Sequence, residues 1–162
     1  ECAGRVQIYF DLNVRLSLWP LRDGLRELLP RLAKIIDVLF VTDDDDRLLF
    51  DREFDPSLQN YTILGFPIVI GRRGSEPTIV CENQRRAEVA CVAGMTVVDA
   101  TGTGDAFNAG FIASRLRGEG AVTSARWGNC AAAEIIGRIG GRGENVTLAQ
   151  ILSHFHTLSA PQ

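Results

Sequence analysis

Short unbroken apolar runs alternate with helix-period segments along this chain, and that alternation constrains its fold most. Val38-Leu39-Phe40-Val41 and Pro67-Ile68-Val69-Ile70 are too short for helices and contain no polar position. Strands covered on both faces read this way. Between such runs, Leu21, Leu25, Leu28, Leu29 and Leu32 recur at helical spacing behind Pro20, a residue suited to a first helical turn. The expected order begins with a strand over 6–10, the helix opened by Pro20, and a strand over 38–41. Thr42 and the carboxylates Asp43 to Asp46 then start a helix, because they suit the free N–H groups there. Strands over 67–70 and 78–81 pair across the turn 72–77, and a strand over 88–92 leads into Val97-Val98. Helices follow over about 105–116 and 122–139, and Thr147 caps a last one over 148–155. Strands alternating with helices predict an α/β class with a mainly parallel sheet flanked by helices, in one domain without repeats or linkers.

Composition removes several functions. The 162 residues suffice for a buried core, and 46% hydrophobic with 23% charged is ordinary for a globular chain. A formal net charge of −3 offers no basic stripe, so nucleic acid is not an expected partner. No apolar run is long enough to cross a membrane. Cys2, Cys81, Cys91 and Cys130 lack C-x-x-C spacing and read as free thiols, not a zinc site or a disulfide scaffold. His154 and His156, two apart, would face different ways on a helix and form no ready metal pair. With no apolar leader in view, the cytoplasm is the expected location. The first residue is Glu1, not Met, which leads us to expect a piece of a longer protein.

The chemistry concentrates in Thr96-Val97-Val98-Asp99-Ala100-Thr101-Gly102-Thr103-Gly104-Asp105. The stretch reads as a strand, a tight glycine-rich turn and a helix start. Gly102 and Gly104 let an anion approach the backbone, and the N–H groups of Gly102, Thr103, Gly104 and Asp105 form a cradle at the positive end of the helix dipole. Asp105, in the first turn, can accept a proton from a hydroxyl lying beside a bound phosphate. One turn thus supplies an anion hole and a base, which phosphoryl transfer to an alcohol requires. The plainer alternative is a capped helix in which Asp105 only complements the dipole. The pattern is neither G-x-G-x-x-G nor G-x-x-x-x-G-K-[ST].

Asp99 to Gly110, DATGTGDAFNAG, closely resembles the D-T-x-G-A-G-D-x-F-x-x-G signature of the ribokinase-like (PfkB) carbohydrate kinases. Ala100 stands where Thr is common and Thr103 where Ala is common; neither change removes a backbone donor. Phe10-Asp11-Leu12-Asn13-Val14-Arg15 with Leu18-Trp19 resembles the F-D-x-N-x-R…L-W stretch of 2-keto-3-deoxygluconate kinases and related fructokinases. Val41-Thr42-Asp43-Asp44-Asp45-Asp46 is similar to the T-D-x-D-D segment of their archaeal branch. Arg72-Arg73-Gly74 resembles a K-L-G-x-x-G turn, with Pro77 where the later Gly is usual. Gly128-Asn129-Cys130-Ala131-Ala132 is similar to A-N-A-A near the adenine site, and Arg142-Gly143-Glu144 to R-G-D near the substrate.

The resemblance implies the C-terminal, ATP-binding portion of a ribokinase-like fold, without the N-terminal half that carries the lid and most sugar contacts. It implies Asp105 as base, with Gly102, Thr103 and Gly104 at the phosphoryl group. Arg72, Gly74, Gly102, Gly104 and Asn129 would bind the nucleotide. Asn13, Arg15, Asp105 and Glu144 would bind the sugar. Asp43 and Asp46 stand where an N-x-x-E pair often supports Mg²⁺ through water. The expected substrates are ATP and a small sugar or sugar acid, with 2-keto-3-deoxygluconate ahead of a ketose. Self-association through the face the other half would cover is expected as well. A non-catalytic nucleotide-binding remnant and an interaction module stay open as alternatives.

Overall fold

The computed structural model describes residues 6–15, 17, 22–140 and 146–159. Arg142, Glu144, Leu18, Trp19 and Pro20 lie outside them. The chain forms two compact units. The first takes residues up to Gly74 together with Ile79–Glu88; the second takes Ser75–Thr78 and everything from Val89 onward.

The first unit is built on the sheet. Its strands are β1 (Tyr9–Asp11), β2 (Val38–Thr42), β3 (Ile68–Arg72), β4 (Thr78–Glu82) and β5 (Arg85–Val89), in that order across the five-stranded sheet. β1, β2 and β3 run parallel, with Phe10 opposite Leu39 and Phe40 opposite Ile70. β4 returns antiparallel, with Ile70 opposite Val80. Asn83 and Gln84, both left-handed (φ 51 and 63), make the two-residue turn into β5, the primed turn that matches strand twist. The α/β class therefore stands, and the parallel sheet expected from the apolar runs is met in its first three strands.

Helices α1 (Arg22–Leu32), α2 (Asp43–Phe50) and the single turn α3 (Gln59–Thr62) connect these strands. Leu25 and Leu29 of α1 join Leu39, Val41, Val69, Ile79 and Tyr61 in one core. Val38 to Val41 are at most 2% exposed, so the unbroken apolar run records a strand covered on both sides.

The second unit is helical: α4 (Thr103–Arg115), α5 (Ala121–Ile136) and α6 (Leu148–Ser159). α4 and α5 approach closely because two glycines permit it. A Cβ on Gly110 would stand 2.7 Å from the Trp127 carbonyl oxygen, and one on Gly128 would stand 2.7 Å from the Phe107 ring. Trp127, Cys130 and Ala131 of α5 form a second core with Ile151 of α6. Cys81 and Cys130 are buried free thiols as expected, and Cys91 is half-buried. Among the described residues no helix is long and apolar enough to cross a membrane.

The strand expected over 88–92 lies earlier, as β5, and ends at Val89. A second expectation fails. Val97 and Val98 form no strand before the glycine-rich turn; they lie in the loop between β5 and α4, 64% and 51% exposed. The N–H groups of Val98 and Asp99 donate to the carbonyl of Ile136 at the end of α5, at 2.9 and 3.3 Å. A helix end has taken the donors that a strand ladder would have used. β-Branched residues suit a sheet only where a neighbouring strand is available.

Candidate active-site elements

In the first unit, the site residues expected from sequence gather at one edge. Asp11 ends β1 and leads to Asn13 and Arg15; Thr42 ends β2 and leads to Asp43; Arg72 ends β3 and leads to Gly74. These are carboxyl ends of parallel strands, where α/β sheets place ligand-binding loops.

The loop after β1 continues a strand-like alternation. Leu12 and Val14 are buried at 6% and 5% exposure, while Asn13 and Arg15 face outward. Asn13 is left-handed at φ 40, a conformation Asn tolerates better than most residues. Bonds on either side hold it: Leu12 N–H to Phe40 carbonyl at 3.0 Å, and Val14 N–H to Asp45 Oδ1 at 2.6 Å. The Arg15 guanidinium folds back on the Val14 carbonyl at 3.0 Å. At the neighbouring strand ends, Arg72 Nη2 contacts Asp11 Oδ2 at 2.9 Å and its guanidinium lies 5.7 Å above the Phe40 ring.

The carboxylate run at the start of α2 divides by position. Asp43 and Asp44 are on the surface with Arg47, at 3.8 and 3.0 Å. Asp46 is turned inward, 1% exposed, accepting the Asp55 N–H at 3.3 Å with Arg52 at 3.6 Å. Burial raises its pKa, against the lowering effects of the Asp55 N–H and Arg52. Burial, reinforced by the Asp46 charge, pushes the Tyr61 phenol up in turn. Asp45, 2% exposed, makes a reciprocal cap with Thr42: Thr42 N–H and Oγ1 donate to Asp45 Oδ2 at 2.9 and 2.7 Å, and Asp45 N–H donates back to Thr42 Oγ1. The N-x-x-E spacing is thus also met by Thr42 and Asp45. Sequence reasoning, drawn to Asp43 and Asp46, passed over the capping-box pattern that marks this pair.

In the second unit, Gly102 is the N-cap of α4, left-handed at φ 79, with no side chain bonded across the helix end. Glycine adopts that angle without a Cβ penalty. Helix α4 begins two residues earlier than expected, and Asp105 lies exposed in its first turn. The Thr103 N–H, expected in the cradle, reaches the Ala100 carbonyl at 3.2 Å, a long bond that an anion can share. The Thr103 hydroxyl is buried and has no hydrogen-bond partner among the described residues. Asp99 braces the turn: its Oδ1 accepts the Thr101 N–H at 2.8 Å and its Oδ2 the Gly140 N–H at 2.9 Å. Those bonds, the Thr101 N–H foremost, lower its pKa.

Asn129 needs correction. It is 5% exposed and its amide is fully used within its own unit. Its Oδ1 accepts the Thr78 hydroxyl at 2.8 Å, and its Nδ2 donates to the Val89 and Ala90 carbonyls at 3.2 and 3.0 Å. A saturated amide braces the chain around Val89 and has no donor left for a nucleotide. The neighbouring Gly128 has a packing role as the seat of Phe107.

A model of the pfkB family carbohydrate kinases matches residues 1–148, and the chain belongs to that family. It is 28% identical over 153 residues to a 2-dehydro-3-deoxygluconokinase of Haemophilus influenzae, covering 93% of this chain and 49% of that protein. The chain spans about half the length of the curated relatives it matches. Aminoimidazole riboside kinase from Salmonella enterica, solved with aminoimidazole riboside and an ATP analog, superposes with a TM-score of 0.82 at 21% identity, over 91% of this chain and 52% of that one. A putative ribokinase II from E. coli, solved with ATP and Mg²⁺, gives 0.78 at 23% identity, over 95% and 50%. These two likenesses establish the ribokinase-like fold.

Proposed function

We propose that the protein containing this chain transfers the γ-phosphoryl group of ATP to a hydroxyl of a sugar acid, 2-keto-3-deoxygluconate first and a ketose such as fructose second. Family membership supports a carbohydrate kinase, and the 2-dehydro-3-deoxygluconokinase relative supports the substrate class. One observation carries the reading: an exposed carboxylate, Asp105, stands in the first turn of a helix whose N-cap is a left-handed glycine with no side-chain cap hydrogen bond.

In this reading Asp105 accepts the proton of the sugar hydroxyl as the oxygen attacks phosphorus. Backbone N–H groups of the Gly102 to Asp105 turn stabilise the charge spread over the phosphoryl oxygens, helped by the helix dipole. The Thr103 hydroxyl, without a partner among the described residues, would gain an acceptor there. Asn13 and Arg15 present an amide and a guanidinium fork suited to a sugar hydroxyl and a carboxylate or phosphate. Arg72 and Gly74 would contribute on the nucleotide side.

Mg²⁺ is characteristically held by substrate phosphates, water and one or two carboxylates, so no protein cage is needed. Asp43, half-buried on α2, fits an outer role through water; Asp46, buried and committed to Asp55 and Arg52, does not. The ion would neutralise phosphate charge.

The test is a coupled ADP-release assay on the full-length protein with 2-keto-3-deoxygluconate, fructose and ribose. Sugar-dependent turnover with the sugar acid preferred is expected; no turnover with any sugar overturns the reading. The chain alone should turn over very slowly, because orientation of the acceptor supplies on the order of 7–11 kcal/mol in such reactions.

A further inference from the structure

We propose that Asp45 is a positioning residue that locks the loop bearing Asn13 and Arg15 into its substrate-receptive form; this rests on the kinase reading above. Four consecutive carboxylates at a helix start would ordinarily be exchangeable, each complementing the dipole. Asp45 is buried, as Asp46 is, and is set apart by its partners. At 2% exposure, its Oδ2 holds the end of β2 through Thr42, and its Oδ1 reaches across to the Val14 N–H at 2.6 Å. One carboxylate thus ties together the loops that follow two adjacent parallel strands.

The tie falls at the residue where it matters. Asn13 is left-handed, an arrangement that persists only when its neighbours over-determine it. The Leu12 N–H is fixed on the Phe40 carbonyl before it and the Val14 N–H on Asp45 after it. With Leu12 and Val14 seated in the core, Asn13 and Arg15 are held outward together. Without the Asp45 oxygen, the buried Val14 N–H would be orphaned and the kink would be free to relax. The outward pair would then have to be reordered by the substrate, a cost that appears in sugar affinity.

The experiment compares wild type, Asp45→Ala, Asp45→Asn and the surface control Asp44→Asn in the full-length protein. Asp45→Ala should raise the KM for sugar about 10- to 100-fold, the effect of a lost hydrogen bond to a charged acceptor. KM for ATP and the Mg²⁺ dependence should stay within about twofold of wild type, the scatter below one such bond. Asp45→Asn keeps one acceptor for Val14 and should fall between, which also serves if the alanine variant does not fold. Exchange of the Val14 amide should quicken in the order Asn, Ala. Unchanged sugar KM in a folded variant, or an equal shift in ATP KM or Mg²⁺ dependence, overturns the proposal. A wild-type protein without sugar turnover overturns the kinase reading and this role with it; protection of the Val14 amide would then still show whether the pin exists.

Discussion

Helices α2 and α4 begin alike and end up equipped for opposite tasks. Each carries aspartate in its first turn. The start of α2 is closed: Thr42 and Asp45 exchange hydrogen bonds across it, and Asp45 is almost fully buried. The start of α4 is open: its N-cap is Gly102, no side chain bonds across the end, and Asp105 is exposed. A helix N-terminus has several N–H groups to satisfy. Where a side chain supplies the acceptors, the end becomes part of the scaffold. Where glycine supplies none, the end can take a phosphate, and a carboxylate beside it can take a proton. The difference lies in two cap residues, not in the number of acidic residues nearby.

The sharpest way to break this comparison is to remove the carboxylate at the open end. Asp105→Asn in the full-length protein should lower kcat by about 10² to 10⁴, the usual contribution of a general base. ATP affinity should change little, because a base acts mainly in the transition state. Steady-state kinetics with a nucleotide titration check both. A variant with near wild-type turnover would make Asp105 a dipole partner only, and the two helix starts would then differ in nothing that matters for catalysis.

A second test concerns what seats the open end. The signature's Phe107 and Gly110 pack on α5: Gly128 receives the Phe107 ring and Gly110 lies on the Trp127 carbonyl. Gly128→Ala places a methyl 2.7 Å from that ring, so the ring or the helices must shift. The expected cost is about 1–3 kcal/mol, as for other overpacked contacts. Urea denaturation reads it directly. Nucleotide affinity should weaken in the same variant if this packing aims the helix start.

Much of this was legible in the sequence, and the misses have particular causes. The apolar runs located β2, β3 and β4 within a residue or two, because strands buried on both faces leave no ambiguity of period. The turn from Gly102 to Asp105 was legible because a left-handed cap demands glycine. Val97 and Val98 misled because strand propensity cannot reveal that the partner would be the carbonyl of Ile136. Asn129 misled because its motif position says nothing of how its amide is satisfied; the bonds to Thr78, Val89 and Ala90 come from distant parts of the chain. Asp45 was hidden among identical neighbours, and only the fold shows which of the two buried ones reaches the Val14 N–H.

The closed end offers a smaller effect. Thr42→Ala removes the cap that Asp45 reciprocates and should cost about 1 kcal/mol, typical of a lost N-cap. Stability should fall while ATP affinity holds, since the change falls at a scaffold end. Weakened nucleotide binding without loss of stability would mean that the start of α2 serves the ligand directly and that its closure is incidental.

The smallest effect expected is a pH dependence in the loop that leads to the open end. Asp99 accepts the N–H groups of Thr101 and Gly140, and those bonds favour its charged form and hold its pKa below the ordinary 3.8. A depressed carboxylate contributes stability that is present above the unfolded value and lost as pH falls through the folded one. Between neutrality and about pH 5 the brace should therefore be intact and its effect flat. Below 3.8 it should begin to fail, releasing Thr101 and Gly140 together. Because the carboxylate is exposed, water replaces what the brace loses, so the effect on global stability should be slight. Amide shifts of Thr101 and Gly140, followed by NMR from pH 7 downward, should move together with one midpoint below that of an ordinary aspartate. Asp99→Asn should abolish the shared transition. Independent midpoints for the two amides would show that no common carboxylate joins them, and that the turn before α4 is held by its packing alone.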